Sequence, residues 1–181
     1  MAGTSPAVPA PVPAAAEFVL PVRVYWEDTD AGGVVYHSVY LNFFERARSE
    51  WLRALGVCQR ELATRELVQF VVVDMTMRWH RPARYDDELL ISARPTERRG
   101  TTLHFRQEAR RGTEVLASAE VRVAALNATT FRPVRIPPRV IERLGDIGRT
   151  VTAGGATDSP VVRAAADAGP SSPIADRPVP P

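Results

Sequence analysis

Val39 to Gly56 reads VYLNFFERARSEWLRALG, and one period runs through it: Tyr40, Phe44, Ala47, Trp51 and Leu55 return every three or four residues. Leu41, Phe43 and Leu52 widen that stripe far beyond the face of a helix lying on a surface, so the segment predicts a helix buried on most of its sides. Ser38 stands where an N-cap is expected and Gly56 where a helix stops. Downstream, a short helix is expected over Gln59–Glu66, and after it only strands. Val71, Val73, Met75, Met77 and Trp79 alternate with Asp74, Thr76, Arg78 and His80 in a long strand that Pro82 ends. Glu88–Arg94 predicts another. Thr101–Arg110, with Leu103, Phe105 and Ala109 inward, turns at Arg111-Gly112 and is answered by Val115, Ala117, Ala119, Val121 and Val123. Upstream, Leu20–Trp26 (LPVRVYW) alternates as a first strand before the turn-rich Glu27–Gly33. Loops cannot cover so apolar a helix, so the order strand, helix, four antiparallel strands predicts an α+β domain whose sheet curls around the helix.

Composition narrows the chemistry. The 181 residues include 23 Lys+Arg against 21 Asp+Glu, a charge of +2, which gives no reason to expect nucleic acid. All 23 are arginine, so a Walker-type phosphate loop, a pyridoxal Schiff base and a lysine nucleophile are excluded. The single cysteine, Cys58, excludes an internal disulfide and suits a reducing cytoplasm. No run approaches ~18 consecutive apolar residues, so no transmembrane segment is expected. Residues 1–17 carry four of the 16 prolines and residues 147–181 six, both without an aromatic; these are expected to be disordered arms around a folded domain at 18–146.

Asp28 and Asp30 lie in the turn-rich segment, where aspartates commonly bond backbone two residues on. They also stand just ahead of a helix N-terminus, where free N–H groups and the positive dipole end favour a developing negative charge. Gly32 and Gly33 let the backbone approach a ligand closely.

The run Val24–Gly56, VYWEDTDAGGVVYHSVYLNFFERARSEWLRALG, resembles the signature of hotdog-fold acyl-CoA thioesterases of the 4-hydroxybenzoyl-CoA thioesterase family. Within them it is most similar to the bacterial Tol-Pal-associated acyl-CoA thioesterases. The resemblance continues through RPARYDDEL (Arg81–Leu89) and FRPVRIPP (Phe131–Pro138). It implies a hotdog fold, a five-stranded antiparallel sheet wrapped around a long central helix. It also implies homodimers with substrate at the subunit interface, often paired into a homotetramer, and hydrolysis without a metal or organic cofactor. The family's acidic catalytic position aligns on Asp30, as general base or nucleophile. His37 would polarise the thioester carbonyl through its backbone N–H, and its imidazole could orient water or serve as a general acid.

Tyr36 and Gly33 are expected near the substrate, and Arg81 and Arg132 are candidates for the coenzyme A phosphates. Acyl carrier protein is an alternative thioester donor. Glu45 matters because another branch of hotdog thioesterases uses a glutamate on the central helix; here it can pair with Arg48 three residues on. His80 and His104 lack metal-ligand spacing, and no G-x-S-x-G elbow occurs. Two other functions fit the same fold: an acyl thioester hydratase, which would be expected to need a different His and acid arrangement, and a non-catalytic acyl-CoA-binding or envelope-associated module, which would release no thiol.

Overall fold

Trp51, fully enclosed at 0% exposure, sits with Tyr40, Phe43, Phe44 and Ala47 on a 16-residue helix, α1 (Val39–Ala54), and these side chains are the centre of the core. A computed structural model of the chain describes residues 17–145 and 147. Around α1 it places β1 (Phe18–Arg23), α2 (Gln59–Arg65), β2 (Val68–Trp79), β3 (Glu88–Arg99), β4 (Thr102–Arg111), β5 (Glu114–Asn127) and α3 (Pro138–Leu144). The five strands form one antiparallel sheet in the order β1-β3-β4-β5-β2, the expected α+β hotdog architecture. Gly100 and Gly112, both at positive φ, turn the β3-β4 and β4-β5 hairpins. The inner face, with Leu89, Ile91, Leu103, Phe105, Val121 and Ala125, closes on α1. The helix packs on β1, β3 and β4, while only the short α2 leans on β2.

Several expectations change. The long strand was expected to run in one parity from Val71 to Trp79, but a bulge at Val73 switches faces. Val72 lies opposite Val123, and past the bulge Met75, Met77 and Trp79 lie opposite Val121, Ala119 and Ala117, so Val71 and Val73 fall outside the inner row. Three consecutive valines carry no polar marker of this slip. The third strand does not stop at Arg94: it continues through buried Pro95 to Arg99, the proline being accommodated at a register shift between Pro95 and Glu97. Ser38 makes no side-chain cap, because its backbone is already in the helical region. The first strand also ends early, at Arg23, and Trp26–Asp28 forms one 3-10 turn.

At the ends of the described chain, Glu17 pairs with Arg110 and Ile147 is buried in the core. The arms expected at 1–17 and 147–181 otherwise lie outside the described residues.

Candidate active site

The segment between β1 and α1 is held against the β2-β3 connection by backbone bonds. Val24 N–H donates to Asp87 O, Asp86 N–H to Val24 O, and Val35 N–H to Ala83 O. Inside it the two aspartates differ. Asp28 is buried, and its Oδ2 accepts the Tyr25 N–H at 2.8 Å while its carbonyl accepts the Tyr36 N–H, so it fixes the loop. Asp30 is exposed and opens a tight turn: Gly33 N–H donates to its carbonyl, and its own N–H to Val34 O. Gly33 sits at φ +69°, a conformation its lack of Cβ permits. Asp30 Oδ1 accepts the Gly32 N–H at 2.8 Å, and Oδ2 has no partner among the described residues.

Nine residues after Asp30 the chain enters α1. The His37 carbonyl accepts the Trp79 indole N–H at 3.2 Å, tying the helix start to the end of β2. The imidazole lies between Tyr36, at 4.3 Å between ring centres, and the edge of Trp79. The N–H groups of His37 and Ser38 have no acceptor among the described residues. They stand at the positive end of a long helix.

These groups line one cleft of about 360 Å³, with walls from Asp30, Val34, Val35, His37, Tyr40, Trp79, His80, Arg81 and Pro82. Arg81 is exposed and pairs through Nε with Glu114 at 2.9 Å. Gly33 and Tyr36 neighbour the cleft in sequence but do not line it. Arg132 lies on the turn after β5, its carbonyl accepting the Asn127 N–H, and is not a cleft residue. Tyr40, Trp79 and His80 line the cleft without having been singled out for it. Tyr40 reads in sequence as part of the helix stripe, and His80, which accepts from or donates to Ser118 at 2.9 Å, reads as an outward strand residue. The only signal for the latter pair was their place just ahead of Pro82.

Glu45 is not part of this cleft. It pairs with buried Arg48, whose Nη1 donates to Gln107 Oε1 at 2.6 Å; Gln107 Nε2 in turn donates to Phe44 O and Ser92 O. Burial pulls the Arg48 guanidinium below its ordinary pKa, opposed by Glu45. This network borders a second cavity of about 290 Å³ walled by Leu52, Phe70, Val72, Leu103, Phe105 and Val123. Depressions on the outer sheet face are walled by charged residues such as Asp74, Arg106, Glu120 and Arg122, several of them paired with one another.

A sequence profile described as Thioesterase superfamily matches residues 32–118, which span the turn glycines, α1 and most of the sheet. The acyl-CoA thioesterase YbgC of Haemophilus influenzae is 44% identical over 123 residues, covering 68% of this chain and 90% of that protein. The acyl-CoA thioester hydrolase YbgC of Escherichia coli is 45% identical over 125 residues, covering 68% and 92%. Among solved structures, a probable thioesterase from Bartonella henselae superposes with a TM-score of 0.65 at 39% identity, covering 67% of this chain and all of that one. With relatives of this identity aligned over nearly their whole length, the chain belongs to the thioesterase superfamily.

Proposed function

We propose that the protein hydrolyses acyl-CoA thioesters to a free acid and coenzyme A, in the cytoplasm and as a homodimer or a homotetramer built from dimers. One observation carries the chemistry: Asp30 and His37 share a cleft, and a carboxylate oxygen of one and the N–H of the other have no described partner. Thioester hydrolysis needs an attacking group and donors for the carbonyl oxygen. As general base, Asp30 takes a proton from water while the water oxygen bonds the carbonyl carbon. Charge moves to the carbonyl oxygen, where the His37 N–H and the start of α1 stabilise it. The adduct collapses by breaking the C–S bond, and the departing thiolate takes the proton held on Asp30. If Asp30 attacks directly, its oxygen bonds the carbonyl carbon, the C–S bond breaks with release of the coenzyme A thiolate, and the intermediate is an anhydride. Water that opens it at the Asp30 Cγ leaves ¹⁸O in the Asp30 carboxylate after a single turnover, whereas water at the acyl carbon puts the label in the product acid.

Arg81, whose Nη atoms have no described partner, is assigned to the coenzyme A phosphates, with exposed Arg132 as a second guanidinium. Tyr36 and the Gly33 backbone, which border the cleft in sequence without lining it, are assigned to the acyl side on the family resemblance alone. A carrier-protein thioester would meet the same carbonyl chemistry.

What α1 leaves bare supports the dimer. The helix packs on β1, β3 and β4, and among the described residues only the short α2 reaches the inner side of edge strand β2, leaving Val72 at 41% and Trp79 at 52% exposure and Phe70, Met75 and Met77 half-buried. An apolar edge of this length calls for a partner, and Trp79 puts the cleft beside it. Thiol release from a series of acyl-CoAs tests the activity. Release that vanishes with Asp30→Asn is the expected result, and no release from any chain length would overturn the proposal.

A further inference from the structure

Oxyanion stabilisation draws on donors fixed in place before the charge develops, and the thioesterase function proposed above assigns only backbone N–H groups to it. A side-chain donor is available in the same cleft. Tyr40 lies in the first turn of α1, from which a helical side chain leans back toward the N-terminus. Its ring is 2% exposed and packs edge-on against Phe43, with ring centres 6.2 Å apart, so the hydroxyl is held still.

That hydroxyl accepts the Ala83 N–H at 3.0 Å. The Ala83 carbonyl accepts from Val35, so the hydroxyl is anchored to the strap beside the loop that carries Asp30 and His37. A phenol has one proton to donate in addition to its acceptor capacity. With Ala83 donating to the oxygen, the proton must point elsewhere, and no described residue accepts it. Tyr40 nevertheless lines the cleft, which leaves water or a ligand bound there to accept it. Burial, the largest influence, pushes the phenol above its ordinary pKa of 10.0, keeping it a donor at neutral pH.

We infer that Tyr40 is a further oxyanion donor, its hydroxyl proton directed at the thioester carbonyl oxygen alongside the His37 N–H. This rests on the thioesterase function proposed above, and the test separates the two. Tyr40→Phe in the full chain deletes one oxygen and keeps the ring. Loss of one oxyanion donor costs about 10²- to 10³-fold in kcat, and KM should move little. A purely structural role through the Ala83 N–H would instead loosen the loop and weaken all binding alike.

Two non-hydrolysable ligands read that difference: an acyl-CoA ketone, with CH₂ in place of sulfur, and an alkyl-CoA thioether that has no carbonyl. Tyr40→Phe should weaken the ketone at least several-fold and leave the thioether unchanged. Equal weakening of both, or kcat retained within a few-fold of the unsubstituted enzyme, overturns the Tyr40 assignment while leaving the thioesterase function standing. An unsubstituted enzyme that releases no thiol from any acyl-CoA overturns both. Should Tyr40→Phe fail to fold, 3,5-difluorotyrosine at position 40 keeps the shape and lowers the phenol pKa. The alkaline limb of kcat should then move to lower pH, and an unmoved limb overturns the assignment.

Discussion

Asp30 folds one carboxylate oxygen back onto the N–H of Gly32 at 2.8 Å, and Gly32 is what leaves room for it: a Cβ there would stand 3.0 Å from that same oxygen. The glycine thereby sets where the second, unengaged oxygen points. Gly32→Ala should push the carboxylate aside at little cost in stability, because the obstructing atom is the end of a rotatable, exposed side chain. Turnover should fall about tenfold or more, since misplacing a reacting group by an ångström can cost on the order of 10²-fold. Melting temperature and thiol release measured together decide it. Full activity, or a large drop in melting temperature, would show that the turn does not work this way.

Asp30→Asn keeps an oxygen for Gly32 and removes the charge and the proton-accepting ability. Turnover should drop by roughly 10²- to 10⁴-fold, with folding intact. Asp28 gives the contrasting pattern, because its carboxylate is buried under the Tyr25 N–H. Asp28→Asn retains an acceptor and should cost far less activity, while Asp28→Ala strands a partly buried donor and should lower stability by about 1 kcal/mol. His37→Ala keeps the backbone N–H and should fall between. If Glu45→Gln abolishes activity while Asp30→Asn keeps more than about a tenth of it, where a base normally supplies at least ~10²-fold, the catalytic carboxylate is on the helix instead.

What could be read from residue order alone divides along a physical line. Helical period, alternation and turn residues are local, so α1, the strand succession and the position of Asp30 ahead of a helix start were all accessible. Features that depend on pairing were not. The bulge at Val73 is set by register against β5, and nothing in VVV announces it. Pro95 ends a strand by local rule, yet its register shift lets β3 continue. Tyr40 serves the core with its ring, and its hydroxyl is anchored only by a contact with Ala83, 43 residues away. Ser38 satisfies the usual cap signature and makes no cap.

Gln107 is buried and its amide has one workable orientation: Nε2 must face the Phe44 and Ser92 carbonyls, which leaves Oε1 for Arg48. Gln107→Leu removes all three bonds and leaves a desolvated guanidinium held by Glu45 alone. A loss of about 3–5 kcal/mol is expected, as for breaking a buried charged network. Arg48→Met with Gln107→Leu should recover a good part of it, since both partners then become apolar. Denaturant melts of the two variants give the comparison, and a double variant no more stable than Gln107→Leu would contradict it.

Tyr40 also predicts how stability depends on pH. Burial raises its pKa above 10.0, so the unfolded chain releases this proton before the folded one does. Its contribution to stability is therefore complete below about pH 10 and is lost as pH rises through the higher folded value. Tyr40→Phe should flatten the decline in melting temperature above pH 10 relative to the unsubstituted protein. Parallel declines would show that the phenol ionises alike in both states.

The edge strand offers the remaining test. Val72 is on the inner row opposite Val123, yet 41% exposed, and among the described residues α1 and α2 leave that part of β2 largely uncovered. An isolated chain should tolerate Val72→Arg with a stability change within about 0.5 kcal/mol, as surface substitutions usually do. In a dimer built on this edge, the same change places two guanidinium groups in an apolar seam, where unpaired charge is strongly disfavoured. The unsubstituted protein should sediment as a dimer or tetramer at micromolar concentration and Val72→Arg as a folded monomer. If the cleft is completed by the partner, thiol release should fall with the dimer fraction and recover as protein concentration is raised. A Val72→Arg protein that stays dimeric would move the interface elsewhere. One that is monomeric and fully active would show that the Asp30 cleft works within a single chain.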